Sequence, residues 1–339
     1  MRAPAAYHFL MRALTDPWTL GGVRVPNRVL LAPLAGIGSW FVRLQAMRYG
    51  AGMAVSEMVS SHAVHHRNER TCTQMLRIHP DERALGPTSI QLFGADPDVM
   101  RSAAASVAEA GADLIDLNMG CPVPKVCKTG AGAALLADPD RAVAVARAAR
   151  EGSGLPVTVK LRPGRAPGDR DGVALAFRLV EEAGVAGLTF HPRHAAQHHK
   201  GGPDYELAAE LIAALPIPVV LSGGLRDAAR TRAAFEQTGA AAVMLARGSL
   251  GNPWLFSELL GRGGAPPTDD EVLDELRWVM ERAVEHFGAT RATRNLRKFY
   301  PWYLERLVAP RSLADALQRA RTLDEARTLL EQLRLPAAA

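Results

Sequence analysis

Eight short apolar runs, each closed by small or polar residues and most of them followed by an alanine-rich stretch of helical period, constrain this chain more than any other feature. They are Arg28–Ala32, Met53–Glu57, Thr88–Phe93, Asp113–Asn118, Pro156–Leu161, Gly187–His191, Pro218–Ser222 and Ala242–Ala246. Between them, Ser39–Tyr49, Asp96–Ala110, Pro139–Glu151, Asp171–Ala183, Tyr205–Ala214 and Asp227–Thr238 read as helices, while the second connection has the weakest pattern. Strand and helix in alternation predict parallel strands, because a parallel pair needs a crossover element. Eight units with no G-x-G-x-x-G after the first strand predict a TIM (β/α)8 barrel rather than a doubly wound sheet. The segment before Asn27 reads as a loose entry to the first strand.

After Phe256 the pattern changes. Gly261–Pro267 is a Gly/Pro-rich linker, Thr268 can cap a helix, and Asp269, Asp270 and Glu271 suit its N-terminal dipole. From there to Leu335 only helices are expected, with one apolar stripe of Leu273, Leu276, Val279 and Met280 and another of Leu323, Ala326, Leu329, Leu330 and Leu333. The chain therefore divides into a barrel over residues 1–262 and a small C-terminal helical bundle over residues 268–335. With 339 residues, 48% of them hydrophobic, it has ample material for a barrel core, and disorder is excluded as the main state.

In a barrel of this kind chemistry sits at the C-terminal ends of the strands, so the residues closing each run carry the information. The seventh and eighth runs end in Ser222-Gly223-Gly224 and Ala246-Arg247-Gly248, turns that expose backbone N–H groups to a phosphate, with Arg247 beside them. Tight-turn glycines are the bland alternative. Gln91, Lys160 and His191 would ring a flat polar heterocycle across the mouth, and a flavin fits: Gln91 can pair with a pyrimidine edge and Lys160 can stabilise negative charge that develops on reduction. Cys121 follows the fourth run between Gly120 and Pro122, whose bend aims it over that ring. Cys127 reads as a packing residue. Six further histidines, among them His62, His65 and His66, lack H-E-x-x-H or a carboxylate pair, so no metal is expected.

These segments resemble the tRNA-dihydrouridine synthases, especially their bacterial B-type branch. The resemblance runs from Asn27 to about Phe256 and more weakly through the tail. It is carried by Leu31-Ala-Pro-Leu-Ala-Gly36, Val55-Ser-Glu-Met58, Gln91-Leu-Phe-Gly94, Leu117-Asn-Met-Gly-Cys-Pro122, Val159-Lys-Leu-Arg162, His191-Pro-Arg193, Ser222-Gly-Gly224, and Ala246-Arg247 followed by Gly251-Asn-Pro-Trp254. It implies FMN held by Pro33, Leu34, Ala35, Gln91, Lys160, His191, Ser222, Gly223, Gly224, Ala246 and Arg247, Cys121 as proton donor, and Asn118 and Arg193 near a target uracil. NADPH or NADH would be the reductant. Gly38-Ser39 stands where the family usually has Thr-Asp.

Such a reaction saturates the uracil C5=C6 bond, with hydride to C6 and a proton from Cys121 to C5. A base inside folded tRNA must be splayed out, which calls for a basic footprint. The 40 Lys+Arg against 35 Asp+Glu, a formal charge of +5, favour a polyanionic partner. Arg291, Arg294 and Arg297 recur at helical spacing with Lys298 adjacent, and Phe299, Tyr300, Trp302 and Tyr303 could stack on bases. The rival readings are a small-molecule FMN dehydrogenase of dihydroorotate type, which would not need this tail, a phosphate-binding isomerase, and a non-catalytic RNA-binding barrel. Cys72, Cys121 and Cys127 form neither C-x-x-C nor an even framework, which predicts a reducing compartment and a cytoplasmic protein. No run of roughly 20 apolar residues is present, so no membrane is expected. A monomer is expected.

Overall fold

The computed structural model describes residues 12–334, so residues 1–11 and Leu335, which bound the two expected units, lie outside the described residues. A hairpin of β1 (Trp18–Leu20) and β2 (Val23–Val25) precedes eight strands: β3 (Val29–Leu31), β4 (Met53–Ser60), β5 (Thr88–Phe93), β6 (Leu114–Met119), β7 (Val157–Leu161), β8 (Gly187–Phe190), β9 (Val219–Ser222) and β10 (Ala242–Leu245). The eight pair in parallel, and β10 bonds both β9 and β3, closing the expected barrel.

Alternation decides which side chains see the interior. Along β10, Val243 and Leu245 join the large outer core beneath the helices, whereas Ala242 and Met244 join a separate inner cluster. That inner cluster also holds Leu30, Met53, Leu114 and Val220, so the lower part of the barrel is apolar. Trp18, Leu20 and Val25 of the hairpin belong to it as well. The described part of the segment before β3 therefore includes a packed hairpin, Trp18–Val25, under the barrel, where a loose entry was expected. Trp18 Nε1 donates to Asn27 O at 2.9 Å, and Gly21 (φ +58°) turns so close beneath β7 that a Cβ there would lie 2.3 Å from Pro156 Cβ. Three-residue strands are too short to show a period, although the Gly21-Gly22 turn marks the hairpin.

The connecting helices match expectation closely: Trp40–Arg48, Pro97–Glu109, Pro139–Ser153, Tyr205–Ala214 and Ala228–Thr238. The stretch from Asp171 is an α-helix only to Arg178 and continues as a π-helical turn, Leu179–Ala183. The unclear second connection is broken into Ser61–His65, a π-helical turn Thr71–Met75, and Pro80–Leu85.

Beyond the linker, Thr268 and Glu271 form a reciprocal cap on helix Asp269–Phe287. Helices Ala289–Leu296, Tyr300–Arg306, Arg311–Arg319 and Leu323–Glu331 follow. The stripe Leu273, Leu276, Val279 and Met280 is buried in the same core as helix Trp40–Arg48. Polar contacts reinforce that junction: Gln45 Nε2 donates to Glu275 Oε1 and to Tyr303 Oη, both at 2.8 Å, and Tyr49 Oη donates to Glu275 Oε2 at 2.8 Å. Among the described residues no helix is long and apolar enough to cross a membrane.

The loop after β3 is anchored by a buried ion pair. Arg43 Nε meets Glu82 Oε1 at 2.7 Å with both side chains out of solvent, and Arg43 also donates to Gly38 O and Arg77 O. Removing one member of such a pair leaves an uncompensated buried charge. Glu82→Leu should therefore lose about 3–5 kcal/mol of unfolding free energy in urea titration, and a loss below about 1 kcal/mol would show that the two backbone carbonyls suffice for Arg43.

Candidate active site

The upper interior of the barrel is polar where the lower interior is apolar. Gln91, Asp116 and Thr158 are cross-strand neighbours on β5, β6 and β7, as are Asn118 and Lys160 one layer higher. Gln91 Nε2 donates to Asp116 Oδ2 at 2.6 Å, and Thr158 Oγ1 donates to Asp116 Oδ1 at 2.7 Å. Asn118 Nδ2 donates to Gln91 Oε1 at 2.9 Å, while Asn118 Oδ1 accepts from the backbone N–H of Cys121 at 2.9 Å. Asp116 and Thr158 were not singled out from sequence. Asp116 lies two residues before Asn118 on the same strand, so strand parity alone was the signal.

Burial opposes charge throughout this layer. It pushes Asp116 up to about 6, and it pushes Lys160 down to about 8 with Arg162 adding to the effect. Both groups are therefore mainly ionised at neutral pH. Burial, with Arg193 nearby, pushes Arg162 down to about 10. The guanidinium of Arg162 donates to Arg193 O, His194 O and His198 O at 3.0–3.2 Å, which shapes the loop after β8.

His191 closes β8. Burial, then Lys160, Arg162 and Arg193, hold it far below its ordinary range, so it is neutral. Its Nε2 lies 3.0 Å from Arg193 Nη1. A guanidinium only donates, so Nε2 is the lone-pair nitrogen and the ring proton sits on Nδ1. The rest of the Arg193 fork is turned to Gly201 O, at 3.2 and 3.1 Å.

The turn after β9 is shaped for close approach. Gly223 (φ +98°) and Gly224 (φ +83°) are left-handed, and added Cβ atoms would lie 2.3 Å from His191 Cδ2 and 2.5 Å from Tyr205 Oη respectively. Tyr205 Oη donates to Gly223 O at 2.9 Å, a support with no signal in the sequence. Ser222 is buried below this turn, while Arg247 is exposed at the start of the short turn Arg247–Ser249. Among the described residues no carboxylate forms an ion pair with Arg162, Arg193, Arg226 or Arg247. Between this rim and helix Tyr300–Arg306 lies a cleft of about 450 Å³ lined by Arg226, Arg247, Asn252, Trp302, Glu305 and Arg306.

Of the first loop, Pro33 is half-buried and Ala35 exposed at the rim, but the Leu34 side chain is buried in the outer core. Gly36 is gripped from two sides: its N–H donates to Glu57 Oε2 and its carbonyl accepts from Lys298 Nζ, both at 2.8 Å. Burial pushes the Glu57 carboxyl up, and the Gly36 N–H and the charge of Lys298 oppose that shift. Gly38 has no room for a side chain, since a Cβ would lie 2.8 Å from Glu57 N, so the departure to Gly38-Ser39 belongs with the way this loop is packed.

Cys121 stands half-exposed at the end of β6. Burial pushes its thiol up, and Arg162 and Lys160 are near enough to oppose that weakly. Cys127, at the end of the short helix Pro124–Cys127, donates from Sγ to Cys121 O at 3.3 Å and so holds the same bend.

The tail residues divide. Arg291 and Arg294 are exposed, Arg291 bonding Gln74 Oε1 at 2.7 Å. Arg297 donates to Ala320 O at 2.9 Å and Lys298 to Gly36 O, so both are turned to intramolecular acceptors. Phe299, Tyr300 and Tyr303 are buried in the core, which corrects the expectation that they stack on bases; Trp302 remains partly exposed. Among the described residues no cluster of His, Cys, Asp and Glu could hold a metal ion.

The family model described as Dihydrouridine synthase (Dus) matches residues 30–338. The probable tRNA-dihydrouridine synthase of Mycobacterium tuberculosis is 38% identical over 331 residues, covering 93% of this chain and 84% of that one. The tRNA-dihydrouridine synthase B of Pseudomonas aeruginosa is 34% identical over 315 residues, covering 90% and 92%. Among solved structures, morphinone reductase in complex with tetrahydroNAD superposes with a TM-score of 0.52 at 18% identity, over 77% of this chain and 94% of that one. A 2-naphthoyl-CoA reductase complex gives 0.58 at 12% identity, over 76% and 53%. Those two likenesses speak for the fold alone.

The raised thiol sets a pH prediction. Thiolate is the form that alkylates, so a raised pKa delays reaction to higher pH. Iodoacetamide labelling of Cys121, followed by peptide mass spectrometry, should reach its half-maximal rate at a higher pH than free cysteine does. A profile displaced to lower pH would mean that Lys160 and Arg162 outweigh burial.

Proposed function

The chain belongs to the dihydrouridine synthase family, and from that premise we propose that it reduces the C5=C6 bond of uridines in transfer RNA, using FMN and a nicotinamide reductant, NADPH or NADH. The observation that carries the reading is a protonated thiol, Cys121, on the same strand-end rim as a glycine cradle and a charged lysine.

The residues present fit FMN. The left-handed pair Gly223 and Gly224 packs its turn against His191 and Tyr205 at the strand end, where backbone N–H groups suit a phosphate, and Arg193, Arg226 and Arg247 have no carboxylate ion-pair partner among the described residues. Ser222, Gly223, Gly224, Ala246 and Arg247 would hold the phosphate end, and Pro33, Leu34, Ala35, Gln91, Lys160 and His191 the ring end. Leu34 would contribute backbone, since its side chain is buried in the core. When bound, the flavin supplies the hydride for uracil C6.

Every other task falls to side chains. Cys121 is the general acid, and a thiol kept protonated at neutral pH suits that role where a thiolate would not. Lys160, charged below about pH 8, offers positive charge to the electron-rich ring edge. Neutral His191 can donate from Nδ1. Asn118 caps the bend that presents the thiol, and Arg193 flanks the uracil pocket. For RNA, Arg291 and Arg294 face solvent, and the cleft with Arg226 and Arg306 offers further cations, while Arg297 and Lys298 would reach phosphate only by leaving their present acceptors. The reading has the barrel over residues 1–262 doing the chemistry and residues 268–335 orienting tRNA, in a cytoplasmic monomer. The three free cysteines support the reducing compartment.

Cys121→Ala should keep bound FMN and its reduction by NADPH yet lose about 10²–10⁴ in turnover on unmodified tRNA transcripts. Dihydrouridine formed by that variant at the parental rate would end the assignment, as would a parental protein that forms none. For the RNA surface, Arg291→Ala with Arg294→Ala should weaken tRNA binding and flatten the plot of log affinity against log salt by about 1 per residue; an unchanged slope would place the RNA elsewhere.

A further inference from the structure

The buried carboxylate of Asp116 has no part in the chemistry above, and it lies too deep to touch RNA. Its two oxygens are both occupied, one by Gln91 Nε2 at 2.6 Å and the other by Thr158 Oγ1 at 2.7 Å. We propose that Asp116 is a positioning residue whose acceptor-only carboxylate fixes the sense of the Gln91 and Asn118 carboxamides, and through them the bend that presents Cys121.

A carboxamide has one donating and one accepting end, and in isolation either end can point either way. Both oxygens of Asp116 accept, one from Thr158 Oγ1 and the other from Gln91, so the NH₂ of Gln91 is turned toward it. That leaves Gln91 Oε1 facing Asn118, whose NH₂ donates to it at 2.9 Å. Asn118 Oδ1 is then the end left over, and it accepts from the N–H groups of Cys121 at 2.9 Å and Gly120 at 3.3 Å. Backbone N–H groups can only donate. The chain is thus pinned by an acceptor at one end and by donors at the other, and both amides between them run in one direction. A flip of either would set donor against donor or acceptor against acceptor at two joints, in a layer where Gln91, Asp116, Asn118 and Thr158 are all buried and water cannot repair the mismatch.

This rests on the proposed role of Cys121, but its consequences for the thiol can be read without RNA. Asp116→Asn can keep the sense, with its oxygen toward Gln91 and its NH₂ toward the Thr158 hydroxyl, which can accept. Asp116→Leu cannot. In full-length protein, Asp116→Leu should move the pH profile of Cys121 alkylation toward that of free cysteine, and should lower kcat on tRNA by about 10- to 100-fold with KM for tRNA unchanged. Asp116→Asn should leave the alkylation profile in place and kcat within about threefold of the parent. Gln91→Met, similar in size, breaks the chain one link further on and should shift the alkylation profile in the same direction as Asp116→Leu; it decides the matter if Asp116→Leu does not fold. The proposal is overturned if the variants that break the chain keep the parental alkylation profile, or if Asp116→Asn behaves as badly as Asp116→Leu, which would make charge and not polarity the cause. A parental protein that forms no dihydrouridine would instead sink the functional reading, with the alkylation series still judging the chain of amides.

Discussion

Parallel strands closed into a cylinder send every second side chain into a space that only the two ends can reach. Here one end is stopped by the β1–β2 hairpin, whose Trp18, Leu20 and Val25 complete an apolar floor with Leu30, Met53 and Val220. Apart from Ser89, buried beside Val55 and Leu114, the polar side chains described above lie toward the other end. Gln91, Asp116, Asn118, Thr158, Lys160 and His191 share the inward parity of their strands, so the geometry that closes the barrel also gathers these polar groups above the apolar floor.

That mouth is electrostatically one-sided. Lys160, Arg162, Arg193, Arg226 and Arg247 surround it, and burial or mutual repulsion pushes the first three down. A protein fold ordinarily offsets buried cations with acids. Asp116 offsets part of Lys160, while Arg162 and Arg193 are met by backbone carbonyls, among them His198 O and Gly201 O, which leaves net positive charge at the rim.

Most of the barrel was legible because it depends on local pattern. All eight runs became strands within a residue or two, apart from β4, which extends three residues past Glu57 to Ser60. What escaped depends on contacts across the chain. Strands of three residues carry no usable period, so β1 and β2 passed as a loose segment. Around Phe299, Tyr300, Trp302 and Tyr303 the sequence shows aromatics beside arginines and cannot say which way each ring turns; the structure puts three of the four inside. Arg297 and Lys298 look like free cations because their acceptors are backbone carbonyls, Ala320 O and Gly36 O, which no sequence pattern advertises. Asp116 and Thr158 were omissions that strand parity could have repaired, lying two residues before Asn118 and Lys160 respectively.

The grip on Gly36 changes what the C-terminal helices are. Lys298 reaches across 262 residues of chain to a carbonyl in the first barrel loop, while Glu57 holds the N–H of that same glycine. One wall of the loop is thus built from the tail, and its shape at Gly38 leaves no space for adjustment. Helices of this kind are easily pictured as an interchangeable handle bolted onto a self-sufficient engine. In this molecule they are part of the engine block, and transplanting them from a relative would transplant one wall of the first barrel loop along with the handle.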